Sequence, residues 1–257
     1  MFAMQRPSIS NISNEDVASI ERATVAAVAP QSVQEIPGWL LPMDSGTIGR
    51  SKSAAPLRHD VIDDWALAEI ERRYRAANLP ATFRLPDLPH FEPIKESLRD
   101  LGYAAGRPTH VQVAATASVL AVSSQLDAKL ADAPDQAWAA LFLGEGFDPV
   151  DGASRVRSLS RASGTRFASV HADGRVVAAG AGAFSHGWAS VHGMRTEPSS
   201  RGRGFAARVL ASLAQAAMDR GLGRMFLQVE DGNAPAQALY RRAGFQTVWC
   251  YDYWSRM

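Results

Sequence analysis

A turn rich in glycine and arginine, SSRGRGFAARVL at residues 199–210, directly precedes a stretch with the apolar spacing of an amphipathic helix. The positive end of a helix dipole normally favours Asp or Glu, by ~0.3–1 kcal/mol. Here Arg201, Arg203 and Arg208 crowd that end, and the first acidic residue that follows is Asp219. Backbone N–H groups at a glycine turn can converge on an anion, and arginine matches phosphate in bidentate geometry. The turn therefore predicts an anion site, with a solvated basic turn or a weak RNA-binding patch as the alternatives.

The composition excludes several classes of function. A net charge of +1 over 257 residues argues against broad attraction to nucleic acid or membranes. Cys250 is the only cysteine, so no internal disulfide or cysteine-rich metal site can form, and the six histidines show no paired metal-ligand spacing. The start MFAMQRPSISN lacks a basic segment followed by an apolar core, and no apolar run approaches ~18 residues. We therefore expect a soluble cytoplasmic protein with no metal, no nucleic-acid partner and no membrane partner.

The spacing of apolar residues predicts alternating helices and strands in both halves of the chain. Asp173-Gly174, between two alternating runs, is the strongest hairpin signal in the sequence. The predicted helices lie at 14–28, 61–77, 91–102, 134–146, 203–220 and 234–244. The predicted strands lie within 38–57, at 81–85, within 103–122, in the hairpin 166–184, and at 187–196, 224–229 and 245–254.

The two halves resemble each other, which predicts a tandem repeat. TFRL is followed one helix later by LRDLGY, and MFLQV is followed by LYRRAGF. The spacing is 20 positions from Phe83 to Tyr103 and 19 from Phe226 to Phe245. We interpret this as a degenerate repeat of one α/β unit, with a boundary in the polar stretch 123–135. The alternative is two unrelated α/β segments that share glycine helix stops.

Two segments of the second half resemble the GCN5-related N-acetyltransferase (GNAT) superfamily. EPSSRGRGFA is similar to the acetyl-coenzyme A signature Gln/Arg-x-x-Gly-x-Gly/Ala, with Arg201, Gly204 and Ala206 at the matching positions. NAPAQALYRRAGF is similar to the family's other recognisable segment, an Asn followed by a helix with Leu-Tyr and then Gly-Phe. The resemblance covers roughly 130–257. The first half matches only in element order and in LRDLGY, and it has SAAPLRHD where the glycine loop belongs.

The resemblance implies an α/β (α+β) fold, with a mixed, mostly antiparallel sheet flanked by helices, in two tandem copies. It divides the chain into a flexible arm at 1–14, a degenerate GNAT-like domain at 15–125 and a catalytic GNAT acetyltransferase domain at 130–257. The implied function is transfer of an acetyl group from acetyl-coenzyme A (acetyl-CoA) to a small-molecule or peptide amine, by direct attack in a ternary complex. The alternative is a non-catalytic acyl-CoA-binding or regulatory module. We expect a monomer or homodimer, in which the first domain shapes the acceptor pocket or completes the sheet.

The resemblance also implies a coenzyme site. In GNAT proteins the pyrophosphate rests on main-chain N–H groups of the glycine loop, and the pantetheine arm pairs with the strand before that loop. The neighbouring parallel strand, here 226–229, splays away to leave a slot. The N–H near Met194 would polarise the thioester carbonyl, a contribution of ~2.7–4 kcal/mol per donor. The implied coenzyme-binding residues are Met194, Arg195, Thr196, Arg201, Gly202, Arg203, Gly204, Phe205, Ala206, Asn233, Ala236 and Tyr240.

Tyr240 matches the family's usual general acid, which protonates the departing thiolate. A phenol with a pKa of ~10 stays protonated at neutral pH and can donate in that step. The attacking amine must be neutral, and the candidate bases are Glu230 at a strand end and His192, whose type titrates near neutral pH. A water relay is a third route, so the base stays unassigned. Each residue also has a structural interpretation: a packed tyrosine, a solvated glutamate and a hydrogen-bonded sheet histidine.

Overall fold

The computed structural model describes residues 12–60, 65–144 and 148–256. Most of the predicted arm, residues 1–11, lies outside the described residues, as does 61–64 at the start of one predicted helix. The helices of the described part are α1 (Asn14–Val28), α2 (Ala66–Ala76), α3 (Glu92–Asp100), α4 (Thr116–Leu120), α5 (Gln136–Leu143), α6 (Pro149–Arg161), α7 (Phe205–Met218) and α8 (Ala234–Arg242).

The strands of the described residues form two sheets. A small antiparallel sheet has the order β1 (Ser32–Ile36), β2 (Trp39–Met43) and β3 (Ala55–Pro56). The large sheet has the order β4 (Thr82–Pro86), β11 (Gln246–Ser255), β5 (Ala104–Ala115), β10 (Arg224–Glu230), β9 (Trp188–Thr196), β8 (Arg175–Ser185), β7 (Thr165–Ala172) and β6 (Lys129–Ala131). In it β9 and β10 are parallel, and the other neighbours are antiparallel. This arrangement confirms the predicted fold class.

Local sequence explains several element boundaries. Ser13 begins α1 with a capping box, in which its side chain accepts from the Asp16 N–H and the Asp16 carboxylate accepts in return. Asp173 and Gly174, with φ values of 50° and 74°, form the predicted turn between β7 and β8. Helix α6 was not predicted, because the residues it buries are mostly small. A Cβ on one of them, Gly152, would overlap the carbonyl oxygen of Phe142 on α5.

Strands from the two halves of the chain alternate in the large sheet. β11 lies between β4 and β5, and β5 lies between β11 and β10. The order helix–strand–helix–strand therefore occurs twice, as α2–β4–α3–β5 and α7–β10–α8–β11. The last strand of each unit pairs with the first strand of the other unit, and the two last strands pair antiparallel with each other. The division into two domains stays a prediction, and the two halves share one sheet.

Helices cover both faces of the large sheet and so define the core. On one face, Val209 and Leu213 of α7 belong to a buried cluster with Leu227 of β10. On the other face, Ile20 of α1 packs in a cluster with Phe226. Successive residues of a strand point to opposite faces, so β10 is buried from both sides, as its continuous apolar sequence predicts.

Candidate active site

The site begins where two parallel strands of the large sheet separate. The last parallel pair between β9 and β10 is Val191 with Leu227. The residues that follow them, His192 and Gln228, line a cavity instead. The structure thus shows an opening in the sheet at the position where the resemblance implied a slot.

A β-bulge lies on β9 beside this opening. Gly193 and Met194 together stand opposite the single residue Gly180 of β8, and Gly193 has a φ of 59°. The indole Nε1 of Trp138 donates to the Gly180 carbonyl oxygen at 3.2 Å, which supplies a hydrogen bond to the ladder at the bulge. Bulges next to active sites redirect a residue out of the strand pattern. Met194, one of the two residues of this bulge, lines both cavities described below.

Two glycines with left-handed backbone shape the turn before α7. Gly202 has a φ of 76° and Gly204, the N-cap of α7, has a φ of 82°. No side chain caps α7, and its first turn contains no acidic residue. Because the first N–H groups of a helix lack intrahelical partners, the turn presents main-chain donors together with the positive end of the dipole. This geometry suits the anion that the sequence pattern predicts.

The arginines around this turn differ in their contacts. The guanidinium of Arg203 lies over the Phe205 ring, 4.9 Å from its centroid. Arg208 forms an ion pair with Asp127, so its charge is balanced within the chain. Arg201 lines the cavity beside the turn. Of the three, Arg201 is therefore best placed to pair with a bound anion.

The cavity beside the turn, here called the loop cavity, has a volume of about 590 Å³, within the size range of small-molecule sites. It is bounded by the end of β9, the glycine loop 201–206 and one side of α8. Arg203 is not among its lining residues. The other predicted coenzyme-binding residues line it: Met194, Arg195, Thr196, Arg201, Gly202, Gly204, Phe205, Ala206, Asn233, Ala236 and Tyr240.

A second cavity of about 310 Å³, here called the inner cavity, shares part of its wall with the loop cavity. The shared lining residues are Met194, Arg195, Asn233 and Tyr240. The first half of the chain contributes Ile48, Gly49, Arg50, Arg107 and Thr109 to the inner cavity. Sequence reasoning missed these five residues. No local pattern marks them, because only the shared sheet brings them to the second half.

Tyr240 stands between the two cavities and lines both. Asn233 caps α8 by accepting from the Ala236 N–H at 3.3 Å, and the Tyr240 ring packs edge-on against Phe245. Burial raises the pKa of Tyr240 to about 12. Its phenol is therefore protonated at neutral pH and can act as a proton donor.

His192 lines the inner cavity and is buried, with 4% of its surface exposed. Its Nε2 lies 2.8 Å from Ser190 Oγ, and Ser190 Oγ donates to the Ala183 carbonyl oxygen. With Ser190 Oγ donating to Ala183, His192 Nε2–H is the donor to Ser190 Oγ in the matching tautomer. His192 Nδ1 has no hydrogen-bond partner among the described residues. Burial, together with the nearby charge of Arg50, lowers the pKa of His192 to about 3.

Glu230 is the last residue of β10 and lines the inner cavity with its side chain exposed. It stands opposite Thr109 of β5, another lining residue. A hydrated carboxylate beside the cavity can accept a proton directly or through a water molecule. Both candidate bases thus line the same cavity, but His192 is buried and Glu230 is exposed to solvent.

Two kinds of feature are missing from the part of the chain that the structure describes. No group of three or more His, Cys, Asp or Glu side chains there is arranged to bind a metal ion. No helix there combines the length and the apolar character needed to cross a membrane.

Comparison with known proteins adds a family match over most of the chain. Residues 14–254 match the protein-family model described as "Probable histone acetyltransferase Rv0428c C-terminal". A protein of Bacillus subtilis (strain 168) named "Uncharacterized N-acetyltransferase YobR" is 24% identical over 239 residues, which cover 91% of this chain and 96% of that protein.

Solved structures show the same fold over nearly the whole length. A GCN5-related N-acetyltransferase from Kribbella flavida aligns with a TM-score of 0.68 at 17% identity and covers 98% of this chain and 96% of its own. A tandem GNAT protein from the clavulanic acid biosynthesis pathway aligns with a TM-score of 0.57 at 14% identity, covering 95% of this chain and 96% of its own. At these identities the likeness concerns the fold.

Proposed function

This chain belongs to the GNAT superfamily, in the family described by the "Probable histone acetyltransferase Rv0428c C-terminal" model, and on that premise we propose that it transfers the acetyl group of acetyl-CoA to an amine. Its relatives are named acetyltransferases. The proposal covers acetyl-CoA as the donor, direct attack by the amine in a ternary complex, and the role of each residue. The observation that carries it is the loop cavity, where main-chain donors at the start of α7 adjoin the phenol of Tyr240.

The residues around the loop cavity fit acetyl-CoA, which supplies the acetyl thioester when bound. Gly202 and Gly204 have no side chains to keep a diphosphate away from the main chain. Arg201 adds a cation suited to phosphate. Beyond Val191 the edge of β9 that faces β10 is unpaired. Its N–H and C=O groups are available to the amide groups of a pantetheine arm, as in strand addition.

Tyr240 is the proposed general acid, and the main-chain N–H at Met194 is the proposed donor to the thioester oxygen. A phenol with a pKa of about 12 is protonated at neutral pH, so Tyr240 carries the proton that the departing sulfur needs. The bulge places Met194 at both cavities. The acceptor amine attacks directly from the inner cavity, with no covalent bond to the enzyme.

Glu230 is favoured over His192 as the residue that removes the amine proton, with a water relay as a third route. Burial and the nearby charge of Arg50 disfavour the protonated form of His192, so His192 is poorly suited to take the amine proton. His192 Nδ1 can instead accept a hydrogen bond from an N–H or a water and so orient it. Glu230 is hydrated and can pass the proton to solvent.

The first half is proposed to be a degenerate copy of the same unit that completes the site. Two observations support this proposal. The order of elements repeats, and the halves pair reciprocally, β4 with β11 and β10 with β5. Five lining residues of the inner cavity come from this half. The segment 53–60, at the position of the glycine loop, has no run of glycines that could cradle a second coenzyme.

The test combines binding with turnover. Calorimetry with acetyl-CoA should show stoichiometric binding, and release of free coenzyme thiol should then be followed across a panel of amines. The proposal requires binding and amine-dependent release. Binding without release for any amine would favour a non-catalytic acyl-CoA-binding module, and absence of binding would overturn the donor assignment.

A further inference from the structure

The charges around the inner cavity are unbalanced. Four arginines line it, and Glu230 is the only lining residue with a carboxylate. The four are Arg50, Arg107, Arg155 and Arg195. A cluster of like charges at the wall of a half-enclosed cavity is unfavourable unless an anion offsets it. The cavity wall is thus complementary to a negatively charged group.

Arg50 is presented by a rigid turn. Ser51 Oγ donates to the Ile48 carbonyl oxygen at 2.8 Å, and Ser53 Oγ donates to the Gly49 carbonyl oxygen at 2.8 Å. A Cβ on Gly49 would lie 2.7 Å from the Tyr253 ring, so only glycine lets this turn sit against the cavity wall. Among the described residues, no carboxylate pairs with the half-buried Arg50 guanidinium. The turn therefore holds an unneutralised cation at the cavity.

Arg107 is a residue of strand β5 and lies beside Tyr253, the tyrosine that Gly49 approaches. It sits at a bulge of β5 opposite β11 and has a φ of 55°, a backbone region that a non-glycine residue rarely adopts. Its guanidinium lies over the Tyr253 ring, 4.2 Å from the centroid. Among the residues that the structure describes, no carboxylate pairs with Arg107 either. Strained backbone of this kind is typical of functional sites.

The other cations of the cavity are less available. Arg155 is neutralised by Asp151, with Nε 2.6 Å from the carboxylate. Arg195 lies at the wall shared with the loop cavity, next to the proposed coenzyme site. Arg50 and Arg107 are therefore the lining cations that an acceptor in the inner cavity can reach.

We propose that the acceptor is an amine that also carries a carboxylate or a phosphate, and that Arg50 and Arg107 bind this anionic group. The inference rests on the proposed function, because it assumes that the inner cavity holds the acceptor. Guanidinium groups recognise planar carboxylates and phosphates through paired N–H donors. A lysine-rich peptide carries the same sign of charge as this wall and is disfavoured.

The experiment compares matched pairs of amines by binding and by turnover, with the full chain and with coenzyme A present. The probes are the α-amino acids, each paired with its C-terminal amide, and phosphoethanolamine paired with ethanolamine. A short lysine-rich peptide is the cationic probe. The variants are Arg50→Gln and Arg107→Gln, with Arg72→Gln as the control, because Arg72 is exposed on α2 and pairs with Glu69.

At least one acid should bind tenfold or more tightly than its amide, by calorimetry, and should be acetylated with a correspondingly lower KM. Arg50→Gln and Arg107→Gln should each raise the KM for that acid tenfold or more and leave acetyl-CoA binding unchanged. Arg72→Gln should change neither. Comparing the amino acid–amide pairs with the phosphoethanolamine–ethanolamine pair shows whether the site prefers a carboxylate or a phosphate.

The outcomes separate this inference from the proposed function. If the amides or the lysine-rich peptide bind and react as well as the acids, the inference is overturned while the acetyltransferase proposal stands. If no amine is acetylated but acids bind in an Arg50-dependent way, the proposed function fails and the anion site remains. If no acid binds more tightly than its amide, the inference is wrong whatever the turnover shows.

Discussion

The carboxylate of Glu21 on α1 lies 2.7 Å from the guanidinium of Arg84 on β4, and both side chains are almost completely buried. Arg84 Nε also donates to Ser53 Oγ at 3.1 Å. Its guanidinium lies over the ring of Tyr251, a lining residue of the inner cavity, 5.4 Å from the centroid. One buried ion pair thus connects the first helix, the turn that presents Arg50 and a wall of the proposed acceptor site.

We expect Glu21→Gln to lower the free energy of unfolding by ~3–5 kcal/mol, because it leaves a buried guanidinium without a countercharge. Urea unfolding followed by fluorescence measures this loss. The control is Arg22→Ala, which removes a more exposed pair with Glu35 and should cost at most ~1 kcal/mol. Equal costs for the two variants would contradict the structural role of the buried pair.

Gly204→Ala should weaken acetyl-CoA binding at least tenfold, because a φ of 82° is unfavourable for alanine and the turn must change its backbone to accept it. The matched control is Gly221→Ala. Gly221 follows the same helix at its other end and has a φ of 71°, and a Cβ on either glycine meets nothing within 4 Å. Both variants should lose ~1–2 kcal/mol of stability. Only Gly204→Ala should lose calorimetric binding, and an equal loss in both would place the diphosphate elsewhere.

Tyr240→Phe should lower kcat by ~10²–10⁴-fold and leave acetyl-CoA binding close to that of the wild type, since it removes the proton donor and keeps the ring. Steady-state release of free coenzyme thiol and calorimetry measure the two effects. Tyr103→Phe is the control, because it removes a hydroxyl that bonds Glu71, away from both cavities. Unchanged turnover in Tyr240→Phe would exclude the phenol as the general acid.

Two histidines, the buried His192 and the half-buried His59, predict a loss of stability in acid. Burial lowers the pKa of His192 to about 3 and that of His59 to about 4, against an ordinary value of ~6.5. Between the folded and unfolded values the unfolded chain binds more protons, so the free energy of unfolding rises with pH in that window. The contribution of the two neutral histidines to the free energy of unfolding is therefore complete above about pH 6.5. It is progressively lost as the pH falls toward 4 and below.

His192→Gln should flatten this pH dependence, because glutamine does not titrate. The free energy of unfolding, measured by urea at pH 7 and at pH 5, should differ less in the variant than in the wild type. His186→Gln, in an exposed turn, is the control and should keep the wild-type slope. A wild-type slope in His192→Gln would show that His192 is not a buried neutral group.

A fragment of residues 130–257 should neither fold stably nor catalyse acetyl transfer. β5 from the first half separates β10 from β11, so the fragment would lose the strand that both of them pair with. Circular dichroism and urea unfolding of the fragment test the first expectation. Co-expression with residues 1–125 should restore the sheet and the activity. Full activity of the isolated fragment would show that the first half is dispensable.

Much of the fold could be predicted because its causes are local. Helix α1 follows from apolar spacing and a capping residue, and the hairpin turn follows from Asp173 and Gly174, which tolerate a positive φ. The turn before α7 is likewise explained by neighbours in sequence: glycines that allow the bend and a first turn without acidic residues. Such interactions join residues a few positions apart, so the spacing of residue types is enough to indicate them.

The sequence by itself determined most of the long helices and strands, the glycine turn and the family resemblance of the second half, but not the short helix α4 or helix α6. Only the tertiary structure decided that β5 and β11 exchange places between the halves, which brings Arg50 and Arg107 to the same cavity as Tyr240. It also decided the charge state of His192, since the desolvation of one imidazole depends on packing from distant segments. Strand partners and burial are set by contacts between residues far apart in the chain, and no local pattern encodes them.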